Sequence, residues 1–415
     1  MRDMIVSLRQ FHPIVNTLLA GTVFMIIGIS MSSPFLAIYL AKNTDLSAAV
    51  IGAVIGVGPL AGAFGGFIGG MLSDLIGRKS LLILSLCLSS AVFFGYAFSS
   101  STIFIVMFIF LGGIASSIFG TVSRALIADL STQEQRVKVF SLQNLAFNIG
   151  WAIGPVIGVL FGLAASATPF IVTGSIYMVY AIAMGIALQF FVITKTDVQQ
   201  ETEKSSMKQS LQMMSRDKAL FLFVIGSIIM AIAWAQFPIL LSQFVTSTFD
   251  NGTEIFGLLL VINAVVIIVF QLPMSKWSEG KSPIFALVVG VLLAAAGLLG
   301  FSLSFNVVIL VTAICILSLA ETLVGPMYNV IIDQISPEKM KGAYFGAQNF
   351  GLLGMFLSPI LGGYILDMFG GRVMYLVLSS ICLLSILFFY LSYKIYLSKN
   401  KQEIYLNNSQ VEKAI

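Results

Sequence analysis

Long apolar stretches separated by short polar segments make up almost the whole chain. Twelve of these stretches run for about 17 to 28 residues, the length of an α-helix that crosses a lipid bilayer. In chain order they are residues 14–41, 48–72, 81–98, 102–127, 139–164, 168–194, 219–246, 254–275, 283–304, 306–332, 342–366 and 372–395. We therefore predict an all-α membrane protein with twelve transmembrane helices, called spans one to twelve.

Composition supports a membrane protein and excludes several other classes. Hydrophobic residues make up 58% of the chain and charged residues 10%, whereas soluble domains are about 25% charged. The first apolar stretch is too long for a cleavable signal, and no small-residue cleavage site follows it. The three cysteines fall singly in different spans, and His12 is the lone histidine. We therefore expect no disulfide framework, no metal site and no cofactor.

The basic residues predict the orientation of the chain. With the N-terminus in the cytoplasm, all of the 22 lysines and arginines except Lys42 and Arg372 fall on the cytoplasmic side. Cytoplasmic loops of membrane proteins carry this excess of positive charge. We expect a multi-pass protein of the cell membrane with both termini in the cytoplasm. The net charge of +4 then marks one membrane face and requires no nucleic-acid partner.

The longest internal polar segment, residues 195–218, divides the chain near its middle. We predict an N-terminal six-helix half at 1–194, a cytoplasmic central loop at 195–218 and a C-terminal six-helix half at 219–398. Residues 399–415 form a polar tail, expected in the cytoplasm.

An internal repeat relates the two halves. Residues recur at a constant offset of 204, as Pro34 and Pro238, Asp129 and Asp333, Glu134 and Glu338, Gly150 and Gly354, Pro155 and Pro359, and Gly158 and Gly362. Six spans separate the copies, an even number, so both halves insert the same way up. We predict two parallel six-helix repeats around a central cavity, an architecture known among transporters.

The short charged loop between spans two and three carries a motif. It fits the pattern G-x-L-[AS]-D-x-x-G-R-[KR], and Gly77 can take a left-handed turn that a β-carbon disfavours. This motif resembles that of the major facilitator superfamily, and span count, central loop and repeat extend the resemblance over the whole chain. The matching residues are Gly70, Leu72, Asp74, Gly77, Arg78 and Lys79.

The resemblance implies that this loop latches the two halves together on the cytoplasmic side when the cavity faces outward. Asp74 would face the N-terminus of span eleven, where the helix dipole favours a negative charge. Arg78 would pair with Asp129 at the end of span four. The alternative is an ordinary turn with cytoplasmic positive charges, which accounts for Arg78 and Lys79 but not for Asp74.

Span five carries a second motif at Gly150, Gly154, Pro155 and Gly158. It resembles the G-x-x-x-G-P-x-x-G signature of drug–proton antiporters in the superfamily, which implies export. Glycines every fourth residue also form a groove in which a neighbouring helix can pack closely. The repeat of the pattern from Gly354 favours this second interpretation somewhat.

Glu321 is the only one of the 18 acidic residues that lies deep inside a span. An ionised carboxylate costs several kcal/mol in hydrocarbon, so Glu321 faces a cavity or a partner, or it stays protonated. Its segment resembles span ten of proton-coupled exporters of the lactococcal multidrug-antiporter type, in which a glutamate handles protons and cations. We therefore predict proton coupling at Glu321; the alternative is a protonated structural carboxyl.

The arginine that many family antiporters carry in the middle of span four is missing. The nearest, Arg124, lies close to the inner face, and we expect it to join the charges around Asp129. Spans one, four, seven and ten should line the cavity, with parts of spans five and eleven. The polar and aromatic candidates for the lining are Asn148, Trp151, Trp234, Gln236, Tyr328, Gln348 and Asn349.

These features predict a secondary active transporter that works as a monomer and exports amphipathic or cationic organic compounds in exchange for protons. The alternative is an uptake symporter or facilitator for a small metabolite such as a sugar or peptide. An enzyme is disfavoured because the chain shows no nucleophile–base pair. The absence of a G-x-x-x-x-G-K-[ST] phosphate loop disfavours ATP-driven pumping.

Overall fold

A computed structural model describes residues 11–43, 48–99, 101–160, 167–191, 215–234 and 239–414, and these residues contain helices but no strand. The helices of the N-terminal half are α1 (Pro13–Asn43), α2 (Ala48–Ile76), α3 (Arg78–Phe98), α4 (Thr102–Asp129), α5 (Gln133–Leu160) and α6 (Thr168–Phe190).

The C-terminal half continues in the same all-helical manner. Its helices are α7 (Lys218–Trp234), α8 (Ile239–Thr248), α9 (Gly252–Ser278), α10 (Pro283–Ser302), α11 (Val307–Ile335), a 3₁₀ turn (Glu338–Met340), α12 (Lys341–Gln348) and α13 (Gly351–Ala414). Gly370 in α13 has φ 80° and ψ 165°. This backbone is not helical, so the chain turns there and α13 consists of two consecutive helices.

The described helices account for twelve membrane crossings. Nine of the described helical segments are long and apolar enough to span a bilayer. One of these, 338–399, reverses at Gly370 and therefore crosses twice, so the nine segments make ten crossings. The shorter α7 together with α8 supplies one of the remaining two, and α5 supplies the other. Large apolar side chains such as Phe98 (77% exposed) and Ile103 (80%) cover the outside of the bundle, as expected of a surface in contact with lipid.

The internal repeat is visible in the packing of the helices. In the N-terminal half, Gly150 of α5 packs against Ile26 of α1, and Ser30 Oγ donates to the Gly150 carbonyl at 2.9 Å. In the C-terminal half, Gly354 of α13 packs against the carbonyl of Ile228 in α7. Span five therefore meets span one as span eleven meets span seven, as the offset of 204 predicts.

Three spans depart clearly from the predicted bounds. The helix of span twelve continues to Ala414, through the predicted polar tail. Span five begins at Gln133, earlier than expected, with Glu134 in the first turn of the helix, where the helix dipole favours a negative charge. Span eleven is divided between α12 and α13. The amides of Asn349 and Phe350 there bond to carbonyls three residues back, at 3.1 Å each, which tightens the turn and interrupts the α-helix.

Candidate functional site

Six charged side chains gather where α2, α4, α11 and the start of α12 meet. This end of the bundle is called the basic end and the set the charge network; the six are Asp74, Arg78, Asp129, Arg136, Asp333 and Lys341. Their side-chain exposure ranges from 0% for Asp333 to 16% for Arg136. Charges this well buried are stable only when they are paired, and each of the six has a partner.

The contacts expected of the loop motif are present. Arg78 forms an ion pair with Asp129 and lies 3.4 Å from Asp74. Asp74 accepts hydrogen bonds from the backbone amides of Gly342 at 3.1 Å and Ala343 at 2.8 Å. These amides belong to the first turn of α12, the start of span eleven. The acidic residue of one half thus caps a helix of the other.

Two further ion pairs cross between the halves, and neither was predicted from the sequence. Arg136 of α5 pairs with Asp333 of α11. Lys341 lies 3.2 Å from Asp333 and 3.9 Å from Asp129. Asp129 and Asp333 are equivalent in the repeat, and each contacts a cation of the opposite half. The recurrence of this aspartate in both halves was the sequence signal that could have indicated these ion pairs. Lys79, by contrast, is exposed and is not part of the charge network.

Glycines let the two halves approach closely beside the charge network. Gly66 and Gly70 of α2 face Gly342 and Gly346 of α12. A β-carbon on Gly346 would lie 2.7 Å from the Gly66 carbonyl oxygen, closer than non-bonded atoms can come. Gly77 serves a different purpose: its φ is 98°, and nothing lies within 4 Å of an added β-carbon.

Arg124 does not join the charge network, contrary to expectation. Its Nε donates to the Gly120 carbonyl at 3.0 Å, and its guanidinium donates to Asn349 Oδ1 at 3.3 Å. The amide of Asn349 in turn donates to Thr121 Oγ1 at 2.6 Å. Arg124 lies more than one turn before Asp129 on α4, so its side chain meets the interrupted part of span eleven. These contacts form a second tie between the halves.

Glu321 lies halfway along α11, about 21 Å from each end at 1.5 Å per residue. It is within hydrogen-bonding reach of the amide side chains of Asn148 and Asn263. Asn148 belongs to α5 of the N-terminal half and Asn263 to α9 of the C-terminal half. Asn263 also donates to Ser318 Oγ at 2.9 Å. The one deep carboxyl group therefore has polar contacts to both halves.

A second amide contact crosses the middle of the bundle close to Glu321. Asn144 of α5 donates to Gln271 Oε1 at 2.8 Å, and Gln271 donates to the Thr322 carbonyl at 3.0 Å. Gly325 faces Asn144, since a β-carbon there would lie 2.7 Å from Asn144 Oδ1. Asn144, Asn263 and Gln271 are not among the residues predicted from the sequence, although amide side chains inside apolar spans were the signal available.

A pocket lies beside Glu321 within the C-terminal half, not between the halves as the predicted cavity does. Trp234, Asn263 and Glu321 line it, together with Phe301 and Tyr375. Among the described residues, Trp234 is thus the one predicted lining residue found there.

Other predicted lining residues lie elsewhere. The ring of Tyr328 packs against Phe223 and Phe389, with centroids 5.7 and 5.2 Å away. Asn349 belongs to the tie with Arg124, and Gln236 falls outside the described residues.

The span-five motif makes packing contacts within its own half. Gly150 meets Ile26, and a β-carbon on Gly154 would lie 2.7 Å from the Ile27 carbonyl. Pro155 and Gly158 lie further along α5. The glycines of this motif therefore permit close packing of α5 on α1, which is the alternative considered for them.

Asp217 joins three elements at the basic end of the C-terminal half. It caps α7 by accepting from the Ala219 amide at 2.8 Å, and it also accepts from Tyr344 Oη at 2.7 Å and Lys399 Nζ at 3.2 Å. Burial would raise the pKa of Asp217, but these hydrogen bonds outweigh it and the pKa is lowered. Asp217 therefore stays ionised at neutral pH.

No group of three or more metal-binding side chains occurs within the described ranges. The three cysteines are free thiols.

Comparison with known proteins identifies the family. Residues 18–352 match the family model of the Major Facilitator Superfamily. The MFS-type transporter YqjV of Bacillus subtilis, itself uncharacterized, is 32% identical over 98% of this chain and 99% of its own length. A Na(+), Li(+), K(+)/H(+) antiporter of Planococcus maritimus is 22% identical over 85% of this chain and 90% of that protein. The multidrug resistance protein MdtH of Salmonella arizonae is 20% identical over 85% of each.

Solved structures share the fold at low sequence identity. FucP, a transporter of the same superfamily crystallised in the outward conformation, superposes with a TM-score of 0.70 at 14% identity, over 91% of this chain and 98% of FucP. The human organic anion transporter MFSD10 gives 0.65 at 16% identity over the same shares. Members of this superfamily are transporters, not enzymes, and they draw on ion gradients without a cofactor. The chain belongs to the Major Facilitator Superfamily, with twelve transmembrane helices in two parallel six-helix repeats.

Proposed function

We propose that this transporter exports amphipathic or cationic organic compounds in exchange for protons, by alternating access. The halves at 1–194 and 219–398 would rock against each other around a site near the middle of the membrane. The basic end would face the cytoplasm, the protein would act as a monomer in the cell membrane, and both termini would be cytoplasmic.

The position of Glu321 is the observation that carries this proposal. It is the one acidic residue deep in a span, and it has amide partners in both halves through Asn148 and Asn263. A carboxyl group in this setting can hold a proton in one state and release it in another, because rocking of the halves changes its contacts. It also provides a negative charge for a cationic substrate.

The charge network and the glycine contact support the gating part of the proposal. They join α2, α4 and α5 of one half to α11 and α12 of the other, all at the basic end. Breaking these contacts together would open the basic end, and forming them would close it. The network therefore acts as a gate latch that stabilises the state in which the cavity faces the opposite side.

The names of two relatives favour export and antiport. MdtH is a multidrug resistance protein, and the Planococcus maritimus protein is a cation–proton antiporter. Both are distant, so they support the direction and the coupling without identifying a substrate.

Substitution of Glu321 tests the proposal. In proteoliposomes with an imposed pH gradient, the wild-type chain should drive ethidium transport, and a proton ionophore should abolish it. Glu321→Gln should remove the response to the gradient, because the amide cannot exchange a proton. We expect transport to fall to the level of empty liposomes, measured by ethidium fluorescence.

Glu254→Gln is the matched control. Glu254 is an exposed acidic residue in the first turn of α9, so this variant should transport like the wild type. Gradient-driven transport that survives in Glu321→Gln would refute the coupling role. Uptake of a sugar or peptide with the proton gradient, and no movement of ethidium, would favour the uptake symporter.

Exchange of alkali cations is a second candidate, favoured by the antiporter from Planococcus maritimus. The oxygens of Glu321, Asn148 and Asn263 are the hard ligands that such ions prefer. In the same proteoliposomes, an outward gradient of Na⁺ or K⁺ should then acidify the lumen without any organic cation, because protons enter as the cations leave. A lumenal pH that does not respond to these ions would exclude this candidate.

A further inference from the structure

The pocket beside Glu321 lies between the middle of the bundle and the end opposite the charge network. Phe301 is the next to last residue of α10, and Tyr375 follows the Gly370 turn by five residues. The two chain segments are tied where Ser302 Oγ donates to the Arg372 carbonyl at 2.7 Å. Glu321, halfway along α11, therefore forms the inner wall of the pocket, and Phe301 and Tyr375 form the outer wall.

Tyr375 carries a buried hydroxyl group that packing does not explain. Its ring is held between Phe244 and Phe301, with centroids 5.2 Å away in both cases. The residue is 1% exposed, and its hydroxyl has no hydrogen-bond partner within the described part of the chain. Burying an unpaired hydroxyl costs about 1–3 kcal/mol. Phenylalanine would fill the same space without that cost.

The pocket offers this hydroxyl group suitable neighbours. Asn263 and Glu321 line the same pocket, and Glu321 and Tyr375 are the titratable groups among the nine described residues of its wall. Three polar groups around a small pocket are enough to hold ordered water, which needs two to four hydrogen-bond partners. A chain of hydrogen bonds can thus run from Tyr375 to Glu321.

We propose that this pocket is the proton path between Glu321 and the end opposite the charge network, with Tyr375 as its relay. The inference rests on the proposed proton coupling at Glu321. Tyr375 Oη accepts a proton from a hydronium ion on its outer side, which leaves as water, while its own hydroxyl proton passes to a water molecule in the pocket. That water gives one proton to the Glu321 carboxylate. Tyr375 is neutral before and after, and Glu321 gains one proton.

The path has a consequence for coupling. It runs inside the C-terminal half, whereas an organic substrate would move through the cavity between the halves. Proton and substrate would therefore reach Glu321 from different sides, so a bound substrate would not block access of the proton.

Time-resolved infrared spectroscopy tests the path on the full chain in proteoliposomes. The external pH is lowered rapidly, and protonation of Glu321 is followed by its carboxyl stretch, identified as the band lost in Glu321→Gln. Tyr375→Phe keeps the ring and removes the relay. We expect protonation to slow by roughly a hundredfold, the lower end of the range for a positioned proton-transfer group, with equilibrium binding of ethidium unchanged.

Tyr180→Phe is the matched control, because Tyr180 is a buried tyrosine of the N-terminal half whose hydroxyl also lacks a partner among the described residues. It should leave the rate unchanged. Ala233→Val, which narrows the pocket without changing a polar group, should slow protonation. Equal rates in Tyr375→Phe and the wild type would overturn the path while leaving the coupling at Glu321 intact. Equal slowing by both tyrosine variants would overturn it as well, and a Glu321 band that never titrates would refute the coupling itself.

Discussion

At the scale of single residues, two glycines of the loop motif are required for different physical reasons. Gly70 is required by space, because a β-carbon would strike the Gly342 carbonyl of the other half. Gly77 is required by conformation, because its φ of 98° and ψ of 144° lie where side chains are strained. Substitutions at these two positions should therefore differ in kind: one affects the contact between halves, the other the loop itself.

Gly77→Ala tests the conformational requirement. The added β-carbon meets no atom, so the loss of stability should come from backbone strain alone, about 1–3 kcal/mol. Thermal unfolding in detergent, followed by circular dichroism, measures it. Gly257→Ala, in the helical backbone of α9 with equally open surroundings, should leave stability unchanged or raise it slightly. Equal melting temperatures for the two variants would contradict the strain at Gly77.

At the scale of helices, α2 and α12 form a close contact between the halves. Each contributes two glycines, so backbone meets backbone at the crossing. Such an interface can separate and close again without interlocking side chains, which suits a gate that must open. The polar groups that hold it shut lie around it, in the charge network and in the Arg124–Asn349 contact.

Gly346→Ala should wedge this crossing open. Its β-carbon would meet the Gly66 carbonyl, a backbone atom that cannot turn aside, and overpacking of this kind costs about 1–3 kcal/mol. Spin labels on Ser80→Cys and Glu279→Cys, exposed positions at the basic end of each half, report the separation once the native cysteines are replaced by alanine. We expect a longer mean distance.

Gly363→Ala serves as the control for this variant, since nothing lies within 4 Å of an added β-carbon there. It should keep the wild-type distance. If the distribution of spin-label distances in Gly346→Ala matches that of the wild type, the helix crossing can accommodate the added methyl group and the prediction is wrong.

The sequence predicted the helices and one part of the charge network, and it missed the other part for a physical reason. The motif around Asp74 and Arg78 is local, and its partners follow from the family resemblance. The pairing of Arg136 with Asp333 joins two residues that lie in different halves, and in the sequence Arg136 reads as an ordinary cytoplasmic charge. Arg124 was assigned to the wrong cluster because its rotation on α4, not its distance along the chain, decides what it meets.

At the scale of the whole molecule, the charge network couples the two halves as a unit. Asp333 is fully buried, and its single negative charge is shared by Arg136 and Lys341. Removing one partner of a buried ion pair costs about 3–5 kcal/mol, because the remaining charge is left uncompensated. The closed state of the basic end should therefore depend on the balance of charge more than on any one pair.

Asp333→Asn tests this dependence. The variant leaves two acidic side chains, Asp74 and Asp129, against three buried cations, so the basic end should open, as measured by the same pair of spin labels. Adding Arg136→Gln restores the balance and should return much of the population to the closed distance. A double variant that is as open as the single one would show that the specific Arg136–Asp333 contact, not the balance of charge, holds the gate.

The balance of the charge network bears on how the membrane potential acts on the transporter. Three acidic and three basic side chains make it neutral as a whole, so opening or closing the gate moves no net charge through the electric field. A potential of 100 mV changes the energy of one transferred charge by about 2.3 kcal/mol. That energy would act on the cycle through Glu321, its proton and a charged substrate. The voltage dependence of transport should then report the charge of the cargo, undisturbed by the gate.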